Sequence, residues 1–168
     1  MSYYVIIRGP LGIGKTTVSK MLAEALNADY ISIDKVLEEN NLDEVSDEEG
    51  CITAQNFIKG NEIIIPQVRA ELESKRKVII DGNFYHREQI DHLTSRLGYP
   101  HYVFTLKAQL DVCIDRDKKR EKKYGMEAAM AVHELVSRFD YGTIIDTEGK
   151  NATQTVKEIL SHLPKGKD

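Results

Sequence analysis

A three-layer α/β/α sandwich around a mostly parallel sheet is the fold class this sequence predicts. Five short apolar, β-branched runs recur along the chain, and segments with helical spacing separate them. No repeat, low-complexity segment or linker-like change of composition interrupts the alternation. At 168 residues the chain has the size of one domain with one sizeable core.

The elements follow in order. YYVIIR (3–8) is apolar and bounded by glycine, the mark of a buried parallel strand. KTTVSKMLAEALN (15–27) then places Val18, Met21, Leu22, Ala25 and Leu26 at helical spacing, with Asn27 as the stop. YISI (30–33) is the second strand. DKVLEENNLDEVSDEEG starts helix-friendly and turns polar after Leu42, so its second half reads as an exposed loop. Residues 53–75 read as mostly helical, with Gly60 and Pro66 set against one unbroken helix. KVIID (77–81) is the third strand, and REQIDHLTSRLG (87–98) a helix closed by glycine. HYVFTL (101–106) is the fourth strand. A charged helix over 109–123, a break at Gly125 and a helix over 126–139 come next. GTIIDT (142–147) and a closing helix over 152–163 complete the chain.

Composition narrows the function. No apolar run approaches the roughly 18 residues of a membrane span, and the N-terminus has no secretory pattern, so a cytoplasmic location and no membrane partner are expected. Cys51 and Cys113 lack CxxC spacing and have no histidine at metal-ligand spacing, so both read as free thiols. A net charge of -4 disfavours broad nucleic-acid binding and leaves room for a local basic cleft.

The strongest signal is GPLGIGKT (9–16), which fits G-x-x-x-x-G-K-[ST] between a strand and a helix. Gly9 and Gly14 let the backbone wrap phosphates with N–H groups turned inward, and the helix adds its positive end. Lys15 can reach the β- and γ-phosphates, and the Thr16 hydroxyl can ligate Mg²⁺. Leu11, Gly12, Ile13 and Thr17 complete the nucleotide-binding set.

With that loop the chain resembles the small P-loop kinases: adenylate, shikimate and gluconate kinases, chloramphenicol phosphotransferase and polynucleotide 5′-kinases. The resemblance implies a P-loop NTPase sheet in the order 2-3-1-4-5. It also implies one kinase domain over 1–168, an acceptor-binding insertion at about 36–76 and a lid at about 109–139. ATP and Mg²⁺ are the implied cofactors.

Two carboxylates fit that frame. Asp34 follows the second strand, at the end where open parallel sheets bind ligands. There it can accept the proton of an acceptor hydroxyl, as its counterparts in several of the resembling branches contact one. It serves equally as N-cap of a helix from Lys35, and the two roles are compatible. Asp81 closes KVIID and resembles the second nucleotide-binding motif, which would hold Mg²⁺ and hydrogen-bond Thr16; alone, it is a turn aspartate before Gly82. DGNFYHR is similar to the D-G-x-P-R turn of nucleotide kinases but lacks the proline. Its Arg87 reads equally as an acceptor contact and as a surface arginine.

CIDRDKKREKK (113–123) sets Arg116 and Arg120 four apart, on one helix face. In the resembling kinases such a pair sits in a lid over ATP and neutralises the transferring phosphoryl, and Arg116 is also placed to stack on adenine. Interleaved Asp115, Asp117 and Glu121 allow the plainer reading of a solvated helix, and Arg138 is a weaker candidate. Asp146, Thr147 and Glu148 match the adenine-bordering segment. On the acceptor side, Thr53, Gln55, Asn56, Lys59, Asn61, Gln67 and Arg69 suit a polar or phosphorylated acceptor, with Arg69 the candidate for an acceptor anion. The same residues suit the outer face of a helix pair.

The expected activity is transfer of the γ-phosphate of ATP to a hydroxyl or phosphate of a small metabolite or nucleotide. Alternatives are a nucleic-acid 5′-hydroxyl kinase, disfavoured by the acidic charge, and an ATPase without acceptor. No N-K-x-D tetrad supports a GTPase, and a AAA-type motor needs more chain.

Overall fold

The computed structural model describes residues 1–119 and 125–166. Strands β1 (Tyr4–Arg8), β2 (Asp29–Ser32), β3 (Val78–Gly82), β4 (His101–Lys107) and β5 (Thr143–Asp146) pair in parallel in the order β2-β3-β1-β4-β5. Helices α1 (Lys15–Leu26), α2 (Ile33–Glu39), α3 (Ala54–Glu73), α4 (Arg87–Leu97), α5 (Leu110–Lys118), α6 (Met126–Ser137) and α7 (Ala152–Ser161) connect them. Sheet order and strand direction match the expected α/β fold.

Strand alternation divides the core between two faces. Val5 and Ile7 of β1 pack with Val18 and Leu22 of α1 and Ile159 of α7. Tyr4 and Ile6 face Ile64 and Val68 of α3 and Ile90 and Leu93 of α4. All five residues of β1 are buried, because a central parallel strand is covered by helices on both sides.

The register aligns the chemistry. Ile7 pairs with Asp81, Arg8 with Gly82, and Ser32 with Asp81, so the carboxyl ends of β1, β2 and β3 stop at one level. The phosphate loop, Asp34 and Asp81 therefore open onto the same edge, where the chain leaves the neighbouring strands β1 and β3 toward opposite faces of the sheet, to α1 and α4.

Two expectations are corrected. The second strand ends at Ser32, and Ile33 already begins α2. Residues 54–73 form one helix despite Gly60 and Pro66. Pro66 lies on the exposed side, where water can satisfy the carbonyl it leaves unpaired. Gly60 is a packing device: a Cβ there would come within 2.7 Å of Leu37 Cδ2, so glycine lets α3 approach α2. The 46–50 turn region and its flanks carry no helix or strand, as the polar composition suggests.

Candidate active site

One cleft of about 990 Å³ runs along the carboxyl edge of β1–β3. Its phosphate end is the 9–16 loop. Gly12 (φ 78°) and Gly14 (φ 94°) occupy the left-handed region. At Gly12 a Cβ would also overlap the Cys113 carbonyl oxygen, so α5 can rest directly on the loop. Gly14 is the N-cap of α1 and supplies no side-chain cap, and the first turn holds no acidic residue. The uncapped N–H groups and the positive helix end are thus left for an anion. Lys15 is buried and folds back so that Nζ donates to the Pro10 carbonyl (2.9 Å). Thr16 and Thr17 are exposed along the cleft.

Asp81 is 2% exposed, and its Oδ2 accepts from the Tyr30 hydroxyl (2.9 Å). Burial raises its pKa, against the pull of the Lys15 charge and the Tyr30 hydrogen bond. Tyr30, on β2, was not anticipated; it stands beside both Asp81 and the Thr16 hydroxyl, so the expected direct Asp81–Thr16 contact is replaced by a tyrosine link.

Asp34 is half-buried in the first turn of α2, and Ser32, not Asp34, caps that helix by accepting from Lys35 N–H (3.3 Å). The Asp34 carboxylate instead accepts from the Asn83 backbone N–H, 3.1 Å to Oδ2. Burial pushes its pKa up to about 6; Lys15 and the Asn83 N–H oppose this, and the nearby Asp81 charge adds to it. Lys15 thus acts electrostatically on both carboxylates. Asn83 lines the cleft beside Asp34, and its buried side-chain Oδ1 has no hydrogen-bond partner among the described residues. Gly82 makes the junction possible, since a Cβ there would overlap Ile33 Cγ2 at the start of α2.

Arg116 on α5 joins two loops. Its guanidinium donates to the Ile13 carbonyl (3.2 Å), the Thr147 hydroxyl (3.1 Å) and the Thr147 carbonyl (3.1 Å). It lines the cleft with Thr147 and with Lys150 and Asn151 at the start of α7. Asp146 accepts from the Glu148 N–H, and Glu148 accepts from the Gln109 N–H, so these two shape the loop from outside the cleft lining. Arg120 lies outside the described residues.

The arginines expected on the acceptor side are not in the cleft lining. Arg69 donates to the Arg96 carbonyl (2.7 Å) at the end of α4. Arg87 lies over the rings of Phe139 (4.8 Å) and Tyr141 (5.3 Å). Arg138, the weaker candidate for the lid, pairs with Glu134. Thr53 caps α3, Asn56 holds the Leu42 carbonyl and Asn61 holds the Gln89 carbonyl, so these polar groups build the α2–α3–α4 region. The part of the cleft beyond the phosphate loop is lined instead by Ser32, Asp34, Leu37, Glu38, Asp43, Ile52 and Asn83.

Arg8, read from sequence only as strand, is fully buried. It donates to the carbonyls of Phe84, Phe139 and Val136 and to the Thr105 hydroxyl, at 3.0–3.2 Å. Burial lowers its pKa to about 10, which leaves it charged at neutral pH. It ties the strand feeding the phosphate loop to the Asn83–Phe84 segment and to the end of α6. A lone arginine in an apolar strand is its only trace in the sequence.

Residues 5–139 match the family described as AAA domain. The chain is 33% identical to the shikimate kinase of Actinobacillus succinogenes, over 77% of this chain and 73% of that enzyme. Among solved structures, a gluconokinase from Sinorhizobium meliloti superposes with TM-score 0.74 at 17% identity, over 94% of this chain and 89% of that one. A shikimate kinase from Acinetobacter baumannii in complex with shikimate gives TM-score 0.59 at 19% identity, over 96% and 91%. Both structural likenesses concern the fold alone.

Proposed function

We propose, from the premise that the chain belongs to the AAA domain family and is a small P-loop kinase, that it transfers the γ-phosphate of ATP to a hydroxyl of a small metabolite. The observation that carries this reading is the convergence of Lys15, Asp34 and Asp81 on one cleft, with Lys15 acting on both carboxylates. The shikimate kinase relative supports the same chemistry.

Uncapped N–H groups of α1 and Lys15 would hold the triphosphate, as the anion-ready geometry of the loop suits. A buried carboxylate on Asp81 beside the exposed Thr16 hydroxyl is an oxygen-donor set that fits Mg²⁺. When bound, that cation would neutralise charge on the phosphate oxygens. Tyr30 would keep the Asp81 carboxylate oriented. Asp34 would take the acceptor hydroxyl's proton, and the unpartnered Oδ1 of Asn83 would accept from a second acceptor hydroxyl. Arg116 would close the nucleotide end by joining Ile13 to Thr147, and the task of meeting the transferring phosphoryl would pass to Arg120. The carboxylates of Asp34, Glu38 and Asp43 at the acceptor end favour an uncharged or cationic polyol over a polynucleotide end.

The test is a screen with γ-labelled ATP and Mg²⁺ over polyols, amino sugars, sugar acids, shikimate, nucleosides and 5′-hydroxyl oligonucleotides. Transfer to a small hydroxyl compound is expected; slow hydrolysis throughout would overturn the kinase reading. With the acceptor found, Asp34→Asn should abolish its phosphorylation and leave Mg·ATP affinity within about threefold, below roughly 1 kcal/mol. Lost ATP binding would instead place Asp34 at the metal.

A further inference from the structure

At the outer rim of the acceptor end, residues 46–51 close a tight turn. Ser46 N–H donates to the Cys51 carbonyl (2.9 Å), Gly50 N–H to the Ser46 carbonyl (2.8 Å) and Glu49 N–H to the Ser46 hydroxyl (3.3 Å). Gly50 supplies the bend at φ 69°. The turn brings the side chains of Glu49 and Cys51 toward His86, the residue preceding α4. His86 Nε2 lies 2.7 Å from the Ile52 carbonyl and 3.9 Å from Cys51 Sγ. One carboxylate oxygen of Glu49, Cys51 Sγ and one His86 ring nitrogen all fall within 4.8 Å of one another. Cys51 is buried, and the His86 ring packs against both Phe57 and Tyr85 (centroids 5.7 and 5.1 Å).

We propose that Glu49, Cys51 and His86 form a binding site for a thiophilic divalent cation, with Zn²⁺ the chemical match. The donors are one sulfur, one nitrogen and one oxygen, which suits zinc and disfavours Mg²⁺ or Ca²⁺. Zn–S near 2.3 Å and Zn–N near 2.0–2.1 Å at a tetrahedral angle set sulfur and nitrogen about 3.5 Å apart. The observed 3.9 Å needs only a small closure of a surface turn. Water or the Ile52 carbonyl completes four ligands.

Loading exchanges bonds in a countable way. The Cys51 thiol gives up its proton, and the neutral His86 imidazole moves its proton from Nε2 to Nδ1, so one proton leaves per cation. The His86–Ile52 hydrogen bond is given up in return for the metal–nitrogen bond.

The position gives the site a consequence. Ile52 lines the cleft, and its N–H donates to the Tyr85 hydroxyl (3.0 Å). A cation bridging 49–51 to His86 fixes that wall against the 83–86 segment, whose Asn83 N–H holds Asp34. The cation therefore acts on acceptor binding from outside the phosphate end. Chain separation hides the site in the sequence: Cys51 and His86 stand 35 residues apart, and both cysteines are free thiols as expected.

The test uses the full chain stripped with a chelator and titrated with Co²⁺, then Zn²⁺. One equivalent of Co²⁺ should give a thiolate-to-metal charge-transfer band and the strong visible bands of a tetrahedral ion, bleached by one equivalent of Zn²⁺. Cys51→Ser should remove the charge-transfer band, and Cys113→Ser should leave it. Glu49→Gln, an exposed change that spares the fold, should weaken binding about tenfold or more. Zn²⁺ calorimetry in two buffers should count one proton released. No band at one equivalent, a band kept in Cys51→Ser, or an unchanged affinity in Glu49→Gln overturns the site.

Discussion

At the phosphate-loop end of the cleft, residues 9–17 form one uninterrupted stretch running from β1 into the first turn of α1, whereas at the proposed acceptor end Ser32, Asp34, Ile52 and Asn83 come from separate segments. The first end presents backbone N–H groups, glycines at positive φ and a buried lysine. The second presents side chains and a backbone contact from residue 83 to residue 34. Phosphate is the same ligand in every P-loop protein, so its cradle can be a local motif. An acceptor is particular to each enzyme, and its site is assembled from tertiary neighbours.

The largest expected effect bears on the phosphate end. Lys15→Met removes a buried cation that acts on both carboxylates and would reach the phosphates. Transfer should fall about 10²–10³-fold, read as kcat with the acceptor saturating. A loss confined to the acceptor KM would show that the two ends are not divided as described.

Next in size is the joint between the ends. Arg8→Lys keeps the charge, but one ammonium cannot reach Phe84, Thr105, Val136 and Phe139 together. Leaving buried acceptors unpaired should cost about 2–4 kcal/mol, or roughly 5–15 °C in thermal midpoint. An unchanged midpoint would mean that the joint carries no stability.

A pH profile sharpens the comparison from the acceptor side. With the Asp34 pKa raised to about 6, the carboxylate is the base only above that pH. The acceptor kcat/KM should therefore lose about tenfold per pH unit below 6. The sign for stability is opposite. The folded state holds this proton more tightly than the unfolded chain, so stability falls as pH rises from the ordinary carboxylate range to about 6, and the penalty is fully present above it. Asp34→Asn should then raise the thermal midpoint at pH 8 and leave it nearly unchanged at pH 4. A higher midpoint at both would point to packing rather than charge.

How far the sequence could be read follows the same division. The strand alternation, the sheet order implied by the resemblance and the 9–17 loop were legible, because each is written in contiguous residues. Asp34 and Asp81 could be placed at one edge because the sheet aligns the ends of β2 and β3, with Asp34 two residues beyond Ser32 and Asp81 next to the last residue of β3. Tyr30, Asn83 and Arg8 were not. Tyr30 matters through a hydroxyl reaching across to β3, Asn83 through a backbone N–H that leaves no residue-type signature, and Arg8 through carbonyls as far as 131 residues away. The continuity of α3 is not legible because Pro66 and Gly60 carry the residue types of helix breakers, while in the fold one faces solvent and the other fits against Leu37.

The smallest expected effect is the sharpest check on the acceptor wall. Arg69 looked from sequence like an anion-holding arginine, yet its guanidinium is committed to the Arg96 carbonyl on the outer side of α3–α4 and does not line the cleft. Arg69→Ala should then leave the acceptor KM and the ATP KM within about twofold, under roughly 0.5 kcal/mol. Stability should drop by about 1 kcal/mol for the lost hydrogen bond at the helix end. A tenfold rise in acceptor KM with ATP KM unchanged would put the α3 face inside the acceptor site. It would then favour an anionic acceptor, because an arginine there would oppose the carboxylates of Asp34, Glu38 and Asp43 that line the cleft.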